Sequence, residues 1–310
     1  MSNPGVGVLV MAYGGPDSLA DVEPYLLDVR GHRPTPVHVV DEVRQRYAAI
    51  GGRSPIFERT RAQAGALEQA LSARGYRFPV AVGMRHWQPR IPSALAELAG
   101  RGVRRVVGVV MAPHYSRLSI ELYFRQVDEH RGELGFVGIP DWHLLPGYVA
   151  AVADRVRKAL ARFPPDARER VPVIFTAHSL PSRILESGDP YPVQLAASVR
   201  AITTCLGNGS LRHHFAYQSA ALTPDPWLGP DVGAVLARLA DQGERNVVVA
   251  PIGFTCEHVE VLYDVDVELR RQAAALGVHL ERAGMVNADA QMMAGLAELT
   301  IGTARREGWT

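Results

Sequence analysis

Cysteine is almost missing from this chain: Cys205 and Cys256 are the only two in 310 residues, and no C-x-x-C pair exists. That excludes a disulfide scaffold, an all-cysteine zinc site and a self-contained four-cysteine iron–sulfur cluster, and leaves two buried, inert thiols as the expectation. Lysine is rarer still, with Lys158 standing alone. The expected reading is codon bias, with arginine's better fit to bidentate carboxylate contacts as the alternative. Net charge is lacking too, since 33 basic side chains face 32 acidic ones. No general field collects nucleic acid or anionic membrane, so any anion binding must be local. The longest apolar runs, Val6 to Tyr13 and Val106 to Pro113, fall far short of the roughly 20 residues that span a bilayer. With neither a basic leader nor a small-residue cleavage site at the N-terminus, a cytoplasmic protein without a transmembrane anchor is expected.

What is present is periodicity. Short β-branched runs at Val6 to Ala12, Val80 to Met84, Val106 to Met111, Val173 to Ala177, His213 to Tyr217 and Val247 to Ile252 read as strands. Their apolarity is continuous rather than alternating, which suits parallel strands buried on both faces. Helical period fills the intervals at Asp17 to Val29, Ser54 to Arg74, Pro92 to Gly100, Gly147 to Ala161, Pro192 to Leu206 and Asp231 to Gln242. This is α/β construction from βαβ units. The Pro/Gly-rich stretch from Gly31 to Pro36 is either a surface lip or an extended connection.

The chain also repeats itself. Val8-Leu-Val-Met-Ala-Tyr-Gly-Gly-Pro16 is echoed by Val173-Ile-Phe-Thr-Ala-His-Ser-Leu-Pro181, and Val109-Val-Met-Ala-Pro113 by Val248-Val-Ala-Pro251. The middle strand of each half runs into a polar, proline-containing loop, Arg85 to Pro89 or Gln218 to Pro224. Two similar domains are expected, residues 1–146 and 147–310, with the last helix, Ala288 to Arg306, free to pack back on the first. Ligands of open α/β sheets bind beyond the carboxyl ends of the strands, where all these loops lie. Two such rims facing each other would make a cleft.

The Gly14-Gly-Pro16 turn has neither the G-x-G-x-x-G of a dinucleotide site nor the G-K-[ST] of a phosphate loop. Tyr13 ends the first strand, where a phenol either meets a ligand or metal or simply packs. His178 holds the equivalent place in the second half. A Ser179 nucleophile competes with it, but G-x-S-x-G is absent and a hydrolase is weakly supported. His258-x-Glu260 is shared with zinc deaminases, whose P-C-x-x-C partner is missing here. On an α-helix Glu260, Asp264 and Glu268 would form one row, rising about 6 Å and drifting roughly 40° per step. Such a row is either a solvated acidic face neutralised by Arg270 and Arg271 or a path for a divalent cation or protons.

Seven segments together carry a resemblance. They are Met11-Ala-Tyr-Gly-Gly-Pro16, Arg46-Tyr-Ala-Ala-Ile-Gly-Gly-Arg-Ser-Pro55, Gly83-Met-Arg-His-Trp-Gln-Pro89, Ala112-Pro-His-Tyr-Ser116, Ala177-His-Ser-Leu-Pro181 with Gly188-Asp-Pro-Tyr191, Tyr217-Gln-Ser219 with Thr223-Pro-Asp-Pro-Trp-Leu-Gly-Pro-Asp231, and Pro251-Ile-Gly-Phe254 with His258-Val-Glu-Val-Leu-Tyr-Asp264. In this order they resemble the ferrochelatases, from the N-terminus to about residue 268.

The resemblance implies two Rossmann-like domains enclosing a porphyrin cleft, and insertion of Fe(II) into the macrocycle with release of two protons, a step of haem biosynthesis. Iron is then a substrate, and no permanently bound cofactor is expected. Some relatives carry a two-iron, two-sulfur cluster on four cysteines; this chain, with two, should have none. His178 matches the active-site histidine and Glu260 the glutamate facing it across the porphyrin. With Asp264 and Glu268, matched to a proposed outer metal route, they form the implied set of metal-handling residues. Tyr13 resembles the bacterial branch that metallates coproporphyrin III, and Arg30, Arg46, Tyr47, Ser54 and Tyr123 match positions associated with binding it. Transient contact with neighbouring haem-pathway enzymes is a further implication. A flat porphyrin blocks its own nitrogens with two N–H groups, so a site that bends the ring, by strain of about 1 to 5 kcal/mol, opens the way for metal. The alternatives are a protoporphyrin IX ferrochelatase, a chelatase for another metal or tetrapyrrole, and a non-catalytic porphyrin carrier.

Overall fold

The computed structural model describes residues 5–207, 211–221 and 225–310. Leu222, Thr223 and Pro224, from the loop and motif read after Gln218, lie outside the described residues, as do the first four residues. One four-stranded parallel sheet comprises β1 (Val6–Ala12), β2 (Val80–Met84), β3 (Arg105–Val110) and β4 (Gly135–Ile139), in the order β2-β1-β3-β4. The second comprises β5 (Val173–His178), β6 (His213–Gln218), β7 (Asn246–Pro251) and β8 (His279–Arg282), in the order β6-β5-β7-β8. The helices are α1 (Val22–Val29), α2 (Val37–Ala49), α3 (Ile56–Ala73), α4 (Ile91–Gly100), α5 (Ile120–His130) and α6 (Pro146–Leu160), then α7 (Pro165–Arg168), α8 (Tyr191–Cys205), α9 (Val232–Asp241), α10 (Val259–Leu262), α11 (Arg270–Ala275) and α12 (Ala290–Arg306).

Every residue of β1 is buried. Its run of Val, Leu and Met needs helices on both faces, and a central parallel strand receives them. Two strands have no counterpart in the sequence reading, β4 and β8. Both are edges, paired on one side only, and their sequences, Gly-Phe-Val-Gly-Ile and His-Leu-Glu-Arg, lack a continuous apolar run. Helix α2 was also not anticipated; its buried positions are only Val40 and Tyr47, too sparse for a clear stripe. Gly31 to Pro36 forms an irregular, mostly exposed connection between α1 and α2.

The two sheets are joined through one apolar core, which runs from Val6, Val8 and Val10 through Leu67, Val152 and Leu296 to Val173 and Phe175. Helix α12 packs against both α3 and α6. Gly147 permits this closeness, because a Cβ there would lie 2.2 Å from the Gln291 carbonyl oxygen. Asp289 caps α12, accepting from the backbone N–H groups of Gln291 at 3.0 Å and Met292 at 3.3 Å. Among the described residues no helix is long and apolar enough to cross a membrane. Cys256 is buried, with its thiol pushed up to about 12 by desolvation, but Cys205 is exposed at the end of α8. The expectation of two buried thiols therefore holds for one only.

Candidate active site

The carboxyl ends of β1, β2, β3, β5 and β7 converge on one cavity of about 320 Å³, within the size class of small-molecule sites. Tyr13, directly after β1, and Arg85, directly after β2, enter it from the first half, with Tyr25, Tyr47, Ser54 and Tyr123. His178, the last residue of β5, enters from the second half with Tyr191, His258 and Glu260. Gly253 makes that side possible: a Cβ there would sit 2.7 Å from Ala177 Cβ, so only glycine lets the β7 loop lie against the end of β5.

Glu260 stands between two histidines. Its Oε1 lies 3.4 Å from His178 Nε2 and its Oε2 lies 3.4 Å from His258 Nε2. Each imidazole is oriented by a backbone carbonyl: His178 Nδ1 contacts the Ser179 oxygen, and His258 Nδ1 the Cys256 oxygen at 3.0 Å. A carbonyl only accepts, so each Nδ1 carries its hydrogen and each Nε2 turned towards Glu260 is bare unless the ring is protonated. Tyr191 donates to the His178 carbonyl at 3.0 Å and steadies the strand end. Gln218 donates to the Glu260 carbonyl at 2.7 Å and does the same for Glu260.

These contacts overturn one implication of the resemblance. Groups on opposite faces of an aromatic plane must each clear it by roughly 3.5 Å, so about 7 Å separates them. At 3.4 Å, His178 and Glu260 share one wall of the cavity, too close for a macrocycle to pass between them in this arrangement. Burial pulls the His178 imidazole down, but the charge and hydrogen bond of Glu260 outweigh it and push it up to about 9. Burial likewise opposes ionisation of Glu260, and the two histidines overcome it, holding the carboxyl well below the usual range. The resting pair is imidazolium and carboxylate.

The acidic row is built differently from an α-helix. After α10 the backbone widens into a π-helical segment, Asp264–Leu269, with the Glu268 N–H donating to the Tyr263 carbonyl at 2.9 Å. Such single π turns accompany functional sites often. The row grades outwards, since Glu260 lines the cavity, Asp264 is half-buried and Glu268 is exposed. Asp264 accepts from Ser219 Oγ and lies 3.7 Å from Arg46. Desolvation, with Glu260 nearby, pushes its carboxyl up to about 6 against the pull of Ser219 and Arg46. Of the four implied metal residues, His178 and Glu260 meet at the cavity, while Asp264 and Glu268 lie further out along the row.

The residues associated with porphyrin binding divide. Tyr47 and Tyr123 are buried in the cavity wall, where desolvation raises both phenols well above the usual range, and Ser54 is buried beside them. Tyr13 is the most exposed of these phenols, and its ring hydroxyl is pushed up to about 12, chiefly by desolvation. Arg30 is exposed at the end of α1. Arg46 is held by Glu42 at 2.7 Å and lies over the Tyr263 ring; neither arginine lines the cavity. His86 packs against Tyr13, with ring centres 4.6 Å apart and planes tilted by 51°, while its Nδ1 contacts Asp28 at 2.9 Å, and buried His114 reaches the cavity. Arg85, Tyr25, Tyr191 and His258 were not singled out from sequence. The signal for Arg85, His258 and Tyr191 was their place in the Gly83 to Pro89, His258-x-Glu260 and Gly188 to Tyr191 segments; nothing local marked Tyr25.

Similarity to solved structures defines the fold class. The chain matches SirB from Bacillus subtilis with Fe3+ at a TM-score of 0.58 and 12% identity, covering 98% of this chain and 97% of that one. It matches the sirohydrochlorin chelatase SirB from Bacillus subtilis subspecies spizizenii in complex with cobalt at 0.51 and 14%, with 98% and 97% covered. At such identities the likeness is one of fold: two Rossmann-like α/β halves, as in the chelatases. The ferrochelatase family model matches residues 5–304. A ferrochelatase of Deinococcus radiodurans is 40% identical over 298 residues, 95% of this chain and 94% of the relative. A coproporphyrin III ferrochelatase of Bacillus subtilis is 38% identical over 308 residues, 97% and 98% of the two chains. The chain belongs to the ferrochelatase family.

Proposed function

We propose that this protein inserts Fe(II) into coproporphyrin III, giving the iron porphyrin and two protons in haem biosynthesis. The observation that carries the reading is the Glu260 carboxylate set between the Nε2 atoms of two histidines whose Nδ1 atoms are occupied. Such a unit exchanges protons for a divalent cation, because metal binding requires the ligands to be deprotonated. Arrival of Fe(II) at Glu260 expels the His178 proton to solvent. As the iron passes into the ring, one pyrrole proton restores the His178–Glu260 pair. The other reaches the His258 side of the carboxylate and leaves. Two protons are released for each iron inserted.

Three observations support the porphyrin assigned. Several relatives carry the name coproporphyrin III ferrochelatase; Tyr13 occupies the strand end expected of that branch; and Tyr47, Ser54 and Tyr123 place neutral donors in the cavity. Asp264 and Glu268 act as the outer part of the metal route. The protein works in the cytoplasm, holds no resident cofactor and makes transient contact with neighbouring haem-pathway enzymes. The test is anaerobic mixing of the protein with Fe(II) and either coproporphyrin III or protoporphyrin IX. Multiple turnovers, much faster with coproporphyrin III, are expected. Stoichiometric binding without turnover would indicate a carrier, and equal rates would reject the coproporphyrin assignment.

A further inference from the structure

The cavity holds one guanidinium that no carboxylate neutralises. Among the described residues, Arg85 has no ion-pair partner, whereas Arg46 is held by Glu42 at 2.7 Å and Arg90 by Asp28 at 2.8 Å. The Asp28 carboxylate near Arg85 is occupied on its other oxygen by His86 at 2.9 Å. Arg85 is fixed at its root, because its backbone N–H donates to the Ala12 carbonyl at 2.9 Å and ties the end of β2 to the end of β1. Its guanidinium carbon lies 5.9 Å from the Tyr13 ring centre and 5.5 Å from that of Tyr123. Both phenols are neutral, so they steer the cation by their ring faces without cancelling its charge. Ser119, whose hydroxyl caps nothing, lines the same cavity.

We propose that Arg85 is a specificity-determining residue that receives one carboxylate of the bound macrocycle, with the Tyr123 phenol and Ser119 hydroxyl beside it. A half-buried cation without a counter-ion is completed by an anion brought in with the ligand, and the planar guanidinium fork fits a carboxylate at two points. Its place between Tyr13 and Tyr123 holds a carboxylate-bearing ring against the first half, with the opposite half left to deliver metal. This rests on the proposed function for the identity of the ligand.

The experiment is a fluorescence titration of metal-free coproporphyrin III, over a range of NaCl concentrations, against wild type, Arg85→Gln and Arg85→Lys, each checked for folding by circular dichroism. Arg85→Gln is expected to raise Kd about tenfold or more and to flatten the salt dependence. Arg85→Lys keeps the charge without the fork, so it should retain the salt dependence and recover part of the affinity. An unchanged Kd in Arg85→Gln, or equal losses in both variants with an unaltered salt dependence, would overturn the proposal. Binding that depends on Arg85 in a wild type that never metallates the porphyrin would support it while removing the proposed function.

Discussion

The two halves have the same strand order, yet they present different chemistry at equivalent strand ends. Where β1 runs into Tyr13, β5 ends on His178; where β3 leads through Pro113 to Tyr115, β7 leads through Pro251 to Gly253. The first half offers phenols and an unpaired guanidinium, and the second offers two imidazoles around a carboxylate. A repeated scaffold thus supplies position twice, while single residues at the rim give each half its own chemistry; under the proposed function, the first half would read the macrocycle and the second would handle protons and metal.

That division is broken most directly at Glu260. Glu260→Gln keeps the shape and removes the charge, so turnover should fall by about 10²- to 10⁴-fold, the usual worth of a positioned acid–base group, while Tyr13→Phe should lose far less. Comparable losses in the two variants, measured as iron-porphyrin formation, would show that the halves do not divide the work. Gly253→Ala comes next. Its Cβ would press on Ala177 at 2.7 Å, so overpacking should cost about 1 to 3 kcal/mol in denaturant unfolding and reduce turnover through His178. Unaltered stability and activity would mean that the two strand ends need not touch.

A smaller effect is expected at the outer acids. Replacing Asp264 and Glu268 by Asn and Gln should raise the KM for Fe(II) severalfold and leave coproporphyrin affinity unchanged, since only Glu260 of the row lines the cavity. In wild type the KM for Fe(II) should also climb as pH falls through about 6, where Asp264 gains its proton. A double variant with the same pH profile as wild type would leave the row a solvated face.

The smallest effect concerns stability against pH. His178 is raised in the folded state, so its contribution is full below the unfolded value of 6.5 and disappears as pH rises through about 9. Glu260 is depressed, so its contribution is present above its ordinary 4.5 and is lost as pH falls through the lower folded value. The excess stability of wild type over Glu260→Gln should therefore be greatest between about pH 4.5 and 6.5 and fade towards pH 9. Thermal melts showing an excess that grows above pH 7 would contradict the ion pair.

The central strands, most of the flanking helices and the internal repeat were legible because a strand covered on both faces must be apolar throughout, and that pattern is local. The same logic missed β4, whose run is broken by glycines, and β8, which is half polar, although the other two edge strands, β2 and β6, were legible. His178 and Glu260 stood out by sequence segment, but their arrangement did not: they are 82 positions apart, and whether a macrocycle lies between them depends on how closely β5 and the β7 loop approach. Arg85 shows the converse. Its residue type was visible, but a charge is defined as free only by the partners around it.

Taken alone, the sequence determined an α/β chain of two similar halves, the strand ends where ligands gather, and the family to which its segments belong, because periodicity and short motifs are written in neighbouring residues. Only the tertiary structure decided that His178 and Glu260 share a wall, that His258 completes the unit, that the acidic row rides on a π turn, and that Arg85 rather than Arg30 or Arg46 faces the cavity. Those facts depend on distances between segments remote in the chain, and such distances are set by the packing of whole sheets and helices.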